Sequence, residues 1–121
     1  DSILAPSPPD YQLLPDSFTD TLEQVLLAYL KESDLDVDFA AGLCNMSKRT
    51  LQRTLKEMGT HYSEVLDHAR FRASSRMVQN PGMHVTDIAH QLGYSDVAHF
   101  ARAFRRIAGV TPGMYRQLHA H

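Results

Sequence analysis

Two clusters of cationic side chains recur at helical spacing in this chain. The first runs Lys48-Arg49-Thr50-Leu51-Gln52-Arg53 and adds Lys56. The second runs His99-Phe100-Ala101-Arg102 and adds Arg105 and Arg106. A guanidinium offers a planar fork of donors that fits a phosphate, a carboxylate or the O6/N7 edge of guanine bidentately. A nearby ammonium acts as a point charge on phosphate. This is recognition chemistry, in which no bond is made or broken. Bond-making groups are sparse. Cys44 is the single cysteine, so an internal disulfide and a CxxC metal site are both excluded. Seven histidines are present, with His119 and His121 forming an H-x-H, but no H-E-x-x-H and no i, i+4 histidine pair occurs. No glycine-rich phosphate loop or Ser/His/Asp arrangement is found. Neither a metal, a cofactor nor an enzymatic activity is expected.

The elements that would carry these clusters are helical. Leu22, Val25, Leu26, Tyr29 and Leu30 follow the i, i+3, i+4, i+7, i+8 pattern, and Asp20 with Glu23 resembles a capping box at its start. A short helix is expected from about Asp38 to Cys44. A third, capped by Ser47, runs to Gly59. A longer one spans about Ser63 to Gln79, with Val65, Leu66, Ala69, Ala73 and Met77 inward, and Asn80-Pro81-Gly82 ends it. Thr86 to Leu92 and Asp96 to Ala108 follow, stopped by Gly93 and Gly109, and Thr111-Pro112 opens a seventh. No run of alternating β-branched residues suggests a strand. The expectation is an all-α fold of about seven helices.

Two segments repeat one another. Phe39 to Ser47 is followed by a helix with Leu51, Leu55 and Met58. Asp87 to Ser95 is followed by a helix with Phe100, Phe104 and Ile107. Ala41 and Ala89 stand where two helices would cross, and Asn45 and Gly93 where a left-handed turn is expected. This is the outline of a helix-turn-helix, used twice. On a helical wheel Leu51, Leu55 and Met58 form the inner face of one reader, leaving Arg49, Thr50, Arg53, Lys56 and Glu57 outside. Phe100, Phe104, Ile107 and Val97 fall inside the other, leaving Ala98, His99, Arg102, Arg105 and Arg106 outside. Each outer face is centred on an arginine, Arg53 or Arg102. Cys44 falls on the first helix of the first unit and is expected to be a buried structural thiol.

Charge is unevenly distributed. The formal net charge of −2 conceals an N-terminal third, residues 1–36, with eight acidic side chains against Lys31 alone. Residues 37–121 hold eleven Lys and Arg against six acids. The basic body has the electrostatic footprint that phosphate binding needs. Pro6, Pro8, Pro9 and Pro15 mark residues 1–18 as a linker or extended arm, leaving 19–121 as the domain. No apolar run approaches the roughly 20 residues that span a bilayer, so no membrane contact is expected. With one free cysteine, a reducing cytoplasm is the expected compartment.

The stretch from about Leu35 to Leu118 resembles the C-terminal DNA-binding domain of the AraC/XylS family of transcription regulators. The resemblance rests on Asp87-Ile88-Ala89, Leu92-Gly93-Tyr94-Ser95, Phe100-Ala101-Arg102-Ala103-Phe104-Arg105-Arg106, Gly109-Val110-Thr111-Pro112 and Tyr115-Arg116. Ser47-Lys48-Arg49-Thr50-Leu51-Gln52-Arg53 adds the S-x-R-x-L-x-R of the first reading helix. It implies two helix-turn-helix units (about 37–59 and 86–108) joined by a linker helix, about 63–79, and sequence-specific duplex DNA as the partner. It further implies base contacts from Arg49, Thr50, Gln52 and Arg53, with His99 and Arg102 at the matching positions of the second unit. Contact with RNA polymerase and a separate sensing or dimerising domain are also expected, with residues 1–18 as the broken end of a linker. The chain departs from the pattern at Val97, Ala98 and Ala101, where polar groups are usual. The alanines can touch a thymine methyl but cannot hydrogen-bond a base edge. The first unit is therefore expected to carry more direct readout. Ser74 replaces an alanine in the linker helix and should pack equally well. A different class remains open: a protein-interaction module whose basic faces bind an acidic partner, or dock the chain's own acidic arm.

Overall fold

The computed structural model describes residues 14–120 apart from Ser33. Among these residues there are seven helices and no strand. They are α1 (Leu14–Leu27), α2 (Val37–Leu43), α3 (Lys48–Glu57), α4 (Tyr62–Val78), α5 (Val85–Gln91), α6 (Val97–Ala108) and α7 (Pro112–Leu118).

Helix α4 is the scaffold. Its 17 residues make a rod of about 25 Å at 1.5 Å per residue. It buries Val65, Leu66, Ala69, Ser74 and Val78, and it packs against α1 as well as α5, α6 and α7. Both helix-turn-helix pairs, α2 with α3 and α5 with α6, therefore belong to one core, which runs from Leu22 and Leu26 through Leu51 and Leu55 to Phe100 and Phe104. Polar ties pin α4 at several heights. Arg72 donates to Glu23 of α1 at 3.1 Å. The Tyr62 hydroxyl donates to the Leu35 carbonyl at 2.9 Å, joining α4 to the segment before α2. At the far end Arg116 of α7 donates from Nε to the Val78 carbonyl (2.7 Å) and from Nη2 to that of Met83 (2.5 Å). The first bond satisfies a carbonyl that the end of α4 leaves unpaired, and the second holds the segment leading into α5. Buried Ser74 turns its hydroxyl back to the Phe71 carbonyl at 3.0 Å, so an alanine-sized site accepts it without an orphaned group.

Helix boundaries fall within a residue or two of expectation except in α1, which ends at Leu27 and so leaves Tyr29 and Leu30 of the expected stripe in the turn after it. Helix α1 begins at Leu14, not at the Asp20/Glu23 pair, which lies inside it. Pro15 does not prevent this, because in a first turn its missing N–H interrupts no helical bond. Phe18 packs against the core, so the helical body reaches into the stretch expected to be extended up to residue 18. Residues 1–13, the rest of the expected arm, lie outside the described residues. Among the described residues no helix is long and apolar enough to cross a membrane.

Candidate nucleic-acid interface

Each cationic cluster sits on the second helix of a helix-turn-helix pair, and the two turns share one hydrogen-bond scheme. In the first, the Met46 N–H donates to the Ala41 carbonyl (3.0 Å) and Asn45 to Gly42 (3.2 Å). In the second, Tyr94 donates to Ala89 (3.1 Å) and Gly93 to His90 (3.1 Å). Asn45 and Gly93 hold φ of 57° and 88°, the left-handed conformation expected of them. Ala41 and Ala89 are 2% and 0% exposed, as a close helix crossing requires. The second turn is one residue longer: Ser47 caps α3 directly after Met46, whereas Ser95 intervenes between Tyr94 and the cap Asp96. The caps fix the readers' first turns. The Ser47 hydroxyl oxygen accepts from the Thr50 N–H at 3.1 Å, and Asp96 Oδ1 from the His99 N–H at 2.7 Å.

Leu51 and Leu55 are fully buried, which turns Lys48, Arg49, Gln52, Arg53 and Lys56 to solvent. Thr50 is half-buried, and its hydroxyl oxygen accepts from Ser47 at 3.0 Å. On α6, buried Phe100, Ala103 and Phe104 turn Ala98, His99, Arg102, Arg105 and Arg106 outward. Among the described residues Lys48, Arg49, Arg53, Lys56, Arg102 and Arg105 form no ion pair. Arg106 does: its guanidinium pairs with Asp67 of α4, so it braces α6 as well as facing solvent. His99 sets its ring edge-on to Tyr94 at 5.1 Å.

Four placements differ from expectation. Val97 is exposed, not buried. A helical side chain leans over the turn N-terminal to it, and the first residue of α6 has no such turn to cover. Met58 and Ile107, assigned to the inner faces, are only half-buried, because each stands near the end of its helix. Cys44 is likewise half-buried and not sealed in the core. What burial it has pushes its thiol above the ordinary value, the opposite of what a reactive thiolate needs.

A brace behind the second reader escaped the sequence reading. The Tyr94 hydroxyl donates to Asp67 at 3.2 Å, and the Arg70 guanidinium lies over the Tyr94 ring at 4.5 Å. Burial first, and the Asp67 carboxylate second, hold the Tyr94 hydroxyl well above the usual tyrosine value. Asp67 thereby joins Tyr94 and Arg106, fixing the turn and α6 to α4. The aromatic of the Gly93-Tyr94 pair was the available signal. Nothing in the sequence around Asp67 marked its role. Among the described residues, no cluster of three or more His, Cys, Asp or Glu is placed to hold a metal ion.

Comparisons with known proteins bear on this arrangement. A family model described as a helix-turn-helix domain matches residues 40–118. The transcriptional activator NphR of a Rhodococcus species is 32% identical over 99 residues, covering 82% of this chain and 30% of that protein. The chain thus spans under a third of that relative's length. A transcriptional regulator of Chromobacterium violaceum, described among AraC-type DNA-binding domain-containing proteins, superposes with a TM-score of 0.75 at 24% identity, covering 89% of this chain and 97% of that one. The DNA-binding domain of AdpA, a global transcriptional factor solved in complex with a target DNA, superposes with a TM-score of 0.68 at 25% identity, covering 83% and 90%.

Proposed function

The chain belongs to the AraC-type helix-turn-helix family, and from that membership we propose that it binds duplex DNA sequence-specifically and regulates transcription by doing so. Helices α3 and α6 enter successive segments of the major groove. The observation that carries this reading is the pair of exposed, arginine-centred faces whose central arginines, Arg53 and Arg102, form no ion pair among the described residues, each on a helix that follows a turn with the same hydrogen-bond scheme. A rod of about 25 Å between the units is compatible with readers near one DNA turn apart, about 34 Å. Arg49, Gln52 and Arg53 contact base edges, while Lys48 and Lys56 hold phosphates. Thr50, engaged with Ser47, contributes through its methyl or by exchanging that partner. In the second unit Arg102 reaches bases, Arg105 and His99 the backbone, and Arg106 bridges Asp67 to a phosphate. The chain works in the bacterial cytoplasm on the nucleoid. In a longer protein, a sensing or dimerising domain and contact with RNA polymerase supply the regulatory input and output.

The test is duplex binding followed by fluorescence anisotropy across a salt series. If Lys48, Lys56, Arg105 and Arg106 make four phosphate contacts, log K falls with log salt at a slope of about −4. No binding to any duplex at low salt overturns the proposal. Binding polyglutamate as tightly as DNA would favour the protein-interaction reading instead.

A further inference from the structure

The first turn of α6 presents a surface that none of these roles uses. Val97 opens the helix 37% exposed, and Ala98 beside it is exposed as well. At the corresponding place α3 presents Lys48 and Arg49. The N-terminal residues of a helix lying in the major groove are the ones that meet base edges. Val97 and Ala98 have no side-chain donor or acceptor, so any base edge that complements them is apolar there. The major groove offers one apolar group, the C5 methyl of thymine. 5-Methylcytosine carries the same methyl at the same ring position.

The turn is held in place for such a contact. Asp96 caps it through the His99 N–H, and the His99 ring is seated against Tyr94. Ala98 and Arg102 are i and i+4, one above the other on the outer face. A methyl contact in the first turn and the Arg102 fork therefore fall on neighbouring base pairs.

We propose that Val97, with Ala98, reads the 5-methyl group of a pyrimidine, supplied by thymine in the preferred site. This rests on the DNA-binding reading of α6. The second unit then discriminates by shape and methyl contact and not by charge alone, and a 5-methylcytosine at that position is accepted better than cytosine.

The experiment starts from a site selected from random duplexes with the whole 121-residue chain. Each thymine of the half-site that loses its preference in Arg102→Ala is replaced singly by uracil, which removes only the methyl. One position should lose affinity by about three- to fivefold, the effect of burying one methyl group. At that position a 5-methylcytosine·G pair should bind more tightly than cytosine·G by a similar factor, which separates the methyl from the identity of the base pair. Val97→Ala, with its fold checked by circular dichroism, should shrink the uracil effect to less than twofold. Equal affinity of the wild type for thymine and uracil at every position overturns the proposal while leaving DNA binding intact. An undiminished uracil effect in Val97→Ala overturns it too. Failure to bind any duplex sinks the underlying reading instead.

Discussion

Replacing Gly93 by alanine tests how closely the second turn is set against the segment that follows α1. Gly93 has φ of +88°, and an added Cβ would lie 2.7 Å from the Leu30 carbonyl oxygen, inside contact distance. That oxygen belongs to backbone and cannot swing aside like a side-chain tip. Gly109 supplies the control: its φ is +85°, and nothing stands within 4 Å of the same added atom. Gly109→Ala should therefore lose only the left-handed penalty, about 1–2 kcal/mol. Gly93→Ala carries that penalty plus an overpacking cost of about 1–3 kcal/mol, for a total of roughly 2–5 kcal/mol. Urea denaturation followed by circular dichroism measures both, and an unchanged m-value would show that the comparison is of stability alone. Equal losses in the two variants would refute the close approach of the Leu30 carbonyl to the turn. The same variant should weaken DNA binding, because the backbone that must move carries α6.

Three further outcomes follow from the geometry. Arg53→Ala should cost about 1–3 kcal/mol in binding and relax specificity at one base pair, whereas Lys56→Ala should weaken all sequences alike and reduce the salt slope by about one; anisotropy on matched and mismatched duplexes distinguishes them. Ser74→Ala removes a buried hydroxyl together with the need to satisfy it and gains helix propensity, so its urea midpoint should equal or exceed that of the wild type. Burial pushes the Tyr62 hydroxyl up to about 12 against an unfolded value near 10, so the folded state keeps this proton where the unfolded chain loses it. Its contribution to stability is complete below about pH 10 and is lost as pH rises toward 12. Tyr62→Phe should flatten part of that alkaline fall, as read by denaturant midpoints from pH 8 to 12.

The fold was legible where local rules and packing agree. Ser47 and Thr111 announced caps, Asn45 and Gly93 announced left-handed turns, and the Leu51/Leu55 and Phe100/Phe104 pairs announced buried stripes. Legibility failed where tertiary context decides. Helix α1 starts at Leu14 because a proline in the first turn is harmless, a distinction that counting prolines misses. Val97 lies on the inner side of an ideal wheel, yet a wheel does not show that a first-turn side chain has nothing behind it. Arg106 reads as one more outward cation until Asp67, 39 residues earlier, arrives beside it through the fold. The cationic faces were visible because charge and period are sequence properties. The brace of Asp67, Tyr94 and Arg70 behind them is made by pairing across elements, which no local pattern encodes.

Selection of bound duplexes from a random pool, performed in parallel with the wild type, Arg53→Ala and Arg102→Ala, bears most directly on the claim that two helices read DNA. The wild type should yield two blocks of preferred bases centred about one helical turn, 10–10.5 base pairs, apart. Arg53→Ala should erase information in one block and Arg102→Ala in the other. A single block, or the loss of the same positions in both variants, would contradict it.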